Sequence, residues 1–308
     1  MNGQDVWGWK VAIYLFVSGT GAGAYAVGMV TQRLGSDWSP AAAAGLLLGP
    51  ALVMPATLLL IWDLGRPAGF LRAGRRPASS WISRGVMILS GFIIVGGLHG
   101  TLSVWPWGWL GPSDRLTLVL SPLGALLALS TMLYAGLLLG AVRPIPFWST
   151  PVLPLLFLVS SLSTGIMAVD LTLTLRQAVT GATESSALGG LRQADLLLLT
   201  LEAVAIACYI GLSHATAGSR ASIALLTRGT LAPRFWAGVV AGGVALPFLI
   251  QLLEVTWAVP AAMALSLVSS LAGLLGGLLL RHVVVAGGVK EPFSAAGVLL
   301  TLPSRAGV

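Results

Sequence analysis

The sequence predicts an all-α polytopic membrane protein with eight transmembrane helices. Its 308 residues are 56% hydrophobic and only 9% charged, whereas soluble domains carry roughly 25% charged residues. Apolar runs long enough to cross a hydrocarbon core of about 30 Å cover residues 9–32, 41–62, 82–102, 115–141, 151–175, 193–216, 234–257 and 260–286. No connector is long enough for a soluble domain, so residues 1–308 are expected to form a single integral membrane domain.

The ends of the predicted spans are marked by proline, glycine and polar residues. The first span is expected to be a retained helix, because its apolar run from Val11 to about Val30 has only Lys10 as a basic residue before it and is longer than the apolar core of a signal peptide. Within it, Gly19 and Gly23 have the spacing that lets a neighbouring helix approach closely. Connectors are predicted at 39–40, 63–84, 105–112, 143–146, 181–190, 218–233 and 259–260.

An even number of spans places both termini on one membrane face, which we call side A, the opposite face being side B. Side A carries thirteen basic residues and side B four, which predicts that side A is cytoplasmic. The excess of basic residues over acidic ones is therefore topological, and no basic soluble domain exists to bind nucleic acid. The lone Cys208 can form no internal disulfide, and it cannot supply the roughly four thiolates of an iron–sulfur cluster.

Three polar side chains are expected at one depth near side A. Tyr14 lies early in the first span, Asp63 ends the second and Tyr134 lies late in the fourth. Hydroxyl groups at this depth can donate hydrogen bonds to a quinone carbonyl, and a carboxylate can exchange the protons of quinone chemistry. Alternatively, each tyrosine is an interfacial belt residue, and Asp63 forms a helix-end ion pair with Arg66.

Two further carboxylates lie inside the sixth predicted span. Asp195 and Glu202 are seven residues apart and therefore share one helix face. An ionisable group at this depth needs a partner, a proton or water. The pair predicts a proton relay, the ion-coupling site of a secondary transporter, or a hydrogen bond between helices made by a protonated glutamate.

The remaining polar residues give weaker indications of a functional site. A haem-b anchor needs two facing imidazoles, which only His214 and His282 could supply, since His99 lies near side B. Asp170 and Glu254 are interpreted as water-facing residues near helix ends. No nucleotide-binding or zinc-binding motif is present, so no metal site and no redox centre is expected in this chain.

Several motifs together resemble the NrfD/PsrC-like membrane subunits of molybdopterin and related oxidoreductases, typified by polysulfide reductase. The pair DLGRP at 63–67 and SWISRG at 80–85 is the more specific part of the resemblance. The other matching pieces are Trp7-x-Trp9 followed by Tyr14 and Gly19-x-x-x-Gly23, Tyr134-Ala-Gly136, and FWSTPVLPLLFLVSSLSTG at 147–165.

The resemblance implies a bacterial inner-membrane anchor of eight helices in two four-helix bundles. It implies a pocket for menaquinone or ubiquinone, with Tyr14, Asp63 and Tyr134 in the family's pocket positions. Asp195, Glu202 and Arg281 match further functional positions of the family and would form a proton path.

The resemblance also implies partners: a ferredoxin-like subunit with [4Fe–4S] clusters and a catalytic, molybdopterin-containing subunit. Arg72, Arg75 and Arg76 are predicted to help dock the iron–sulfur subunit. Well-known relatives carry these partners on the periplasmic face, whereas the distribution of basic residues predicts that side A is cytoplasmic. Side A still has eight basic residues against four on side B when the five arginines of the 66–84 stretch are left out. Orientation therefore stays open at this point.

Overall fold

The described part of the chain is almost entirely helical. A computed structural model describes residues 8–63, 81–104, 114–142, 144–181, 185–212, 216–257, 263–291, 293–295 and 298–300. Its α-helices are α1 (Trp9–Thr31), α2 (Ser39–Asp63), α3 (Trp81–Val104), α4 (Asp114–Gly140), α5 (Val152–Thr180), α6 (Ser185–Leu212), α7 (Ala217–Thr227), α8 (Leu246–Trp257) and α9 (Met263–Ala286).

Three shorter helical segments and one hairpin complete these elements. Single 3₁₀ turns cover Ser36–Trp38 and Pro146–Trp148, and Arg234–Ala245 is π-helical and continues directly into α8. Near the C-terminus, β1 (Phe293–Ala295) pairs with β2 (Val298–Leu300) in an antiparallel hairpin.

Eight helices of the described residues are long and apolar enough to cross a membrane. They are α1 to α6, the π-helical segment together with α8, and α9. The prediction of eight spans in an all-α fold is therefore confirmed, and the chain is a multi-pass membrane protein.

Two predicted boundaries and one predicted connector differ from the structure. Helix α5 continues to Thr180 and ends at Gly181, whose φ of 70° lies in the left-handed region that glycine favours. Helix α6 begins at Ser185 rather than near 193, because polar residues can extend a helix beyond its apolar part. The predicted connector 218–233 contains most of α7, a helix too short and too polar to be predicted as a membrane span.

Helices α1 and α5 lie at the centre of the fold. In their most apolar stretches 72% and 67% of the residues are buried, against 22–39% in the other spans. The two helices approach backbone to backbone, because a β-carbon at Gly23 would overlap the Ser161 carbonyl and one at Gly165 would overlap the backbone of Ala24. The close approach predicted from Gly19 and Gly23 is thus made by α5.

The outer helices surround this central pair and expose apolar side chains towards the lipid. Helices α2 and α4 contact α1, and α3 lies against α2 and α4, while α6 and α9 contact α5 and α8 contacts α6 and α9. Because α1 and α5 also pack on each other, the division into two four-helix bundles stays a prediction.

Candidate functional site

Two of the three predicted quinone residues come together near side A. Tyr14 on α1 and Tyr134 on α4 are both buried and lie close enough to interact electrostatically. The Tyr134 hydroxyl donates a hydrogen bond to the carbonyl oxygen of Trp81, the first residue of α3, at 3.1 Å. We call Tyr14, Tyr134 and the Trp81 carbonyl the tyrosine layer, in which α1, α3 and α4 meet.

Gly85 makes room for the phenol ring of Tyr134. It lies one helical turn after Trp81 in the SWISRG motif, and a β-carbon there would overlap the Tyr134 ring and hydroxyl. The motif therefore supplies both the carbonyl group that orients the Tyr134 hydroxyl and the space that the ring occupies.

Gly85→Ala is expected to displace the Tyr134 ring and to lower quinone-linked turnover by roughly tenfold or more, since small misplacements at a reacting centre are costly. Gly97→Ala is the matched control, because Gly97 is on the same helix and a β-carbon there would meet nothing within 4 Å. Steady-state turnover with a soluble quinol analogue measures both variants. Equal activity of the two variants would contradict this role for Gly85.

The end of α2 lies beside the start of α1. Asp63 is the last residue of α2, and its side chain lies outside the described residues. The Lys10 ammonium lies 5.8 Å from the centre of the Trp62 ring, and this cation–π contact connects the start of α1 to the end of α2. Arg66, Arg72, Arg75 and Arg76 lie outside the described residues, as does Trp7.

Asp195 is the centre of a set of hydrogen bonds within the membrane-spanning region. The carboxylate is fully buried and accepts hydrogen bonds from Ser163 on α5 and from the Gln251 amide on α8, each at 2.7 Å. The Gln251 amide also lies 3.5 Å from the Ser269 hydroxyl on α9. Helices α5, α6 and α8 therefore meet at this carboxylate, and Gln251 connects it to α9.

Arg192 holds a second set of groups nearer side B. Its Nε lies 3.2 Å from Asp170 and 3.1 Å from Glu254, and its Nη2 donates to Ser266 at 2.8 Å. Ser270 donates to the other oxygen of Asp170 at 2.8 Å. The interpretation of Asp170 and Glu254 as water-facing residues was wrong, because both carboxylates are buried against one arginine.

Arg281 holds a third set of groups towards side A. Its buried guanidinium donates to the hydroxyls of Ser160 and Ser161 on α5, at 2.5 and 3.1 Å. Glu202 is also buried and interacts with the Ser160 hydroxyl and with the charge of Arg281. The three predicted proton-path residues thus share one buried region.

These three sets form what we call the buried polar network. Their hydrogen-bonding side chains lie on the same helices: α5 supplies Ser160, Ser161 and Ser163, and α9 supplies Ser266, Ser269 and Ser270. From Ser266 to Arg281 the network extends over roughly 22 Å along α9. Its members are Ser160, Ser161, Ser163, Asp170, Arg192, Asp195, Glu202, Gln251, Glu254, Ser266, Ser269, Ser270 and Arg281.

The network has unused capacity for hydrogen bonding. Gln251 Oε1 and Arg281 Nε are buried and lack a hydrogen-bond partner among the described residues. Groups of this kind in a polar interior can hold bridging water. The arrangement provides the exchangeable hydroxyl, carboxyl and amide groups from which a proton relay can be built.

The histidines occupy separate places. His99 Nδ1 lies 2.8 Å from the Tyr25 hydroxyl, while His282 is buried and stacks on Trp9 with ring centres 3.6 Å apart. His214 lies outside the described residues, so the paired-imidazole arrangement of a haem anchor stays untested. Within the described ranges no group of three or more His, Cys, Asp or Glu could hold a metal ion.

Known proteins match this chain over nearly its whole length. The model of the family described as "Polysulphide reductase, NrfD" matches residues 1–291. The chain belongs to the NrfD family. This confirms the resemblance found in the motifs.

Individual NrfD-family relatives match most of this chain and most of their own length. The C subunit of polysulfide reductase from Wolinella succinogenes is 33% identical, with 80% of this chain and 83% of the relative covered. Protein NrfD of Escherichia coli is 29% identical over 92% of this chain and 95% of the relative. The NrfD homolog of Haemophilus influenzae is 26% identical over 79% and 82%, respectively.

Proposed function

We propose that this chain is the quinone-reactive membrane subunit of a respiratory oxidoreductase complex in a bacterial inner membrane. It exchanges electrons between the quinone pool and a partner iron–sulfur subunit, with proton exchange at the quinone. The observation that carries the proposal is that Tyr14 and Tyr134 are both buried on helices in contact, α1 and α4, and that Lys10 near the start of α1 lies against Trp62 at the end of α2. Membership of the NrfD family, with a polysulfide reductase subunit among the relatives, supports it.

The tyrosine layer has the chemistry to hold a quinone headgroup. The Tyr14 hydroxyl can donate a hydrogen bond to a quinone carbonyl oxygen, and the Tyr134 hydroxyl can do so by turning away from the Trp81 carbonyl. Such donors stabilise the negative charge that develops on the quinone during reduction. Reduction of a quinone to a quinol takes up two electrons and two protons, and oxidation releases the same numbers. Tyrosine is a poor proton acceptor near neutral pH, with a usual pKa of about 10, so we assign proton exchange to Asp63 and charge stabilisation of that carboxylate to Arg66.

Electrons leave or arrive through partner subunits. We propose a ferredoxin-like subunit with [4Fe–4S] clusters docked on side A, next to the tyrosine layer, and a catalytic molybdopterin subunit beyond it. The basic residues Arg72, Arg75 and Arg76 lie in the connector between α2 and α3 and would contact the iron–sulfur subunit. Menaquinone and ubiquinone analogues assayed side by side identify the quinone.

The complex isolated from native membranes tests the proposal. Affinity purification of the chain is expected to recover an iron–sulfur protein and quinol-dependent electron transfer, and the triple variant Arg72→Glu, Arg75→Glu, Arg76→Glu is expected to lose the partner. Recovery of a complex without any quinone-linked activity would overturn the function. Retention of the partner by the triple variant would overturn the docking assignment alone.

We further propose that Asp195, Glu202 and Arg281 form part of a proton path through the buried polar network. The support is its length, its exchangeable groups and its unused hydrogen-bonding capacity. The same observations favour a second candidate function, ion-coupled transport by this chain alone. Substrate flux catalysed by the purified chain in liposomes would favour transport over the subunit function.

Asp195→Asn is expected to abolish net proton uptake across the membrane during quinone turnover and to leave the protein folded. The two protons exchanged at each quinone are expected to remain. The amide oxygen introduced at position 195 would still accept from Ser163, and Gln251 can turn its free Oε1 towards the new NH₂ group. Proteoliposomes with a pH-sensitive dye measure proton uptake, and circular dichroism measures the fold. Asp37→Asn, at an exposed carboxylate outside the network, is the control, and unchanged proton uptake in Asp195→Asn would exclude this residue from the path.

A further inference from the structure

An open groove lies at the side A end of α6, outside both the tyrosine layer and the buried polar network. Its volume is about 490 Å³. Ile210 of α6, Ile223 and Ala224 of α7 and Trp236 of the π-helical segment line it together with two arginines, Arg220 and Arg228. The groove therefore combines apolar side chains with two cationic groups.

Helix α7 is fixed in position by its neighbours. Thr216 caps its first turn by accepting from the Ser219 amide at 3.2 Å. Glu291 accepts from the Gly218 amide at 3.0 Å, and Ser222 accepts from the Val289 amide at 3.0 Å. The C-terminal segment thus holds one side of α7 in place. Arg220, on α7, and Arg228, the residue directly after it, are both exposed and lie eight residues or roughly 12 Å apart along the helix axis.

The groove has a strongly positive local charge. No aspartate or glutamate occurs between Glu202 and Glu254, and within the described part of the chain no carboxylate lies within ion-pair distance of Arg220 or Arg228. Glu291, the acid that contacts α7, is bound at the amino end of the helix through the Gly218 amide. The two guanidinium groups are therefore available to an anion.

The apolar part of the groove is suited to a lipid chain. Ile210 belongs to the last turn of a transmembrane helix, next to the exposed Leu212. Trp236 is half-exposed, and its indole N–H donates to the Thr227 carbonyl oxygen at 3.1 Å. A tryptophan anchored in this way is typical of the level of lipid headgroups.

We propose that this groove binds an anionic phospholipid, with its phosphate between Arg220 and Arg228 and its upper acyl chain against Ile210 and Ile223. Basic pockets at the ends of transmembrane helices bind anionic headgroups through this combination of charge and apolar contact. The site is independent of the quinone chemistry, because none of its lining residues belongs to the tyrosine layer or the network.

Native mass spectrometry of the purified full-length chain with phosphatidylglycerol tests the site. Arg220→Gln with Arg228→Gln is expected to weaken binding by about fivefold for each arginine, the equivalent of about 1 kcal/mol per basic residue near a membrane surface. Arg234→Gln is the matched control, since Arg234 is also exposed but does not line the groove. Its affinity for phosphatidylglycerol is expected to stay within about twofold of wild type, the scatter of exposed surface changes.

Further variants and ligands separate the alternatives. Ala224→Trp, which fills the groove without changing charge, is expected to displace phosphatidylglycerol, and phosphatidylcholine is expected to bind more weakly than phosphatidylglycerol to wild type. Equal binding of the two lipids, or undiminished binding by both the double variant and Ala224→Trp, would overturn the proposal. Displacement of the lipid by inorganic phosphate at equal concentration would show an anion site instead and would overturn it as well.

Discussion

Replacing Tyr134 by phenylalanine is expected to lower quinone-linked turnover by about a hundredfold or more while the complex stays assembled. The substitution removes the hydroxyl and keeps the ring that fills the space over Gly85. Within the fold it costs one hydrogen bond, to the Trp81 carbonyl, so the loss of stability is only about 1 kcal/mol. Tyr14→Phe and Asp63→Asn are expected to share the defect, the latter through proton exchange.

Tyr209→Phe is the control that distinguishes a loss of quinone chemistry from the loss of a buried hydrogen bond. Tyr209 is equally buried and donates to a backbone carbonyl, that of Phe147, at 2.8 Å. Its replacement removes a hydrogen bond of the same kind away from the tyrosine layer. Turnover with a quinol analogue and recovery of the iron–sulfur partner are measured for each variant. If Tyr134→Phe and Tyr209→Phe have the same turnover, the assignment of Tyr134 to the quinone is wrong.

Arg281→Met is expected to destabilise the protein by about 3–5 kcal/mol, the usual cost of removing one partner from a buried charge pair. The change leaves Glu202 buried without the nearby cation and removes the donors from which the Ser160 and Ser161 hydroxyls accept. The midpoint of thermal unfolding in detergent measures the loss. Adding Glu202→Gln is expected to restore part of the stability, because the uncompensated charge is then absent.

The comparison of single and double variants gives the coupling between the two residues. Glu202→Gln alone completes the set of single and double variants. Arg234→Met, at the exposed arginine that begins the π-helical segment, controls for the loss of an arginine elsewhere. The control is expected to change stability by no more than about 0.5 kcal/mol. Strictly additive effects of Arg281→Met and Glu202→Gln would show that the two charges do not compensate each other.

The spans could be predicted from sequence because apolar length alone identifies a membrane-crossing helix. The same criterion gave the wrong start for α6 and missed α7, since polar residues at helix ends carry no such signal. The π-helical geometry of Arg234–Ala245, which packs against α9, could not be predicted either, because its apolar sequence is equally compatible with an α-helix.

The candidate site could be predicted only where a residue was unusual for its surroundings. Asp195 and Glu202 were identified because ionisable groups are rare at their depth, and Tyr134 because it shares a depth near side A with Tyr14 and Asp63. Ser160 and Gln251 gave no such signal, since serine is common between membrane helices and a single glutamine indicates no partner. Their role depends on the rotation of four helices about their axes, which one sequence does not reveal.

The backbone contact between α1 and α5 makes the two helices a single mechanical unit. Helix α1 carries Tyr14 at one end and, further along, Thr20, which donates to Thr164 of α5 at 3.1 Å. Where backbones touch at Gly23 and Gly165, no side chain can deform to absorb a shift. A displacement of Tyr14 would therefore be transmitted to α5 as rigid-body motion and would reach the serines that hold Arg281.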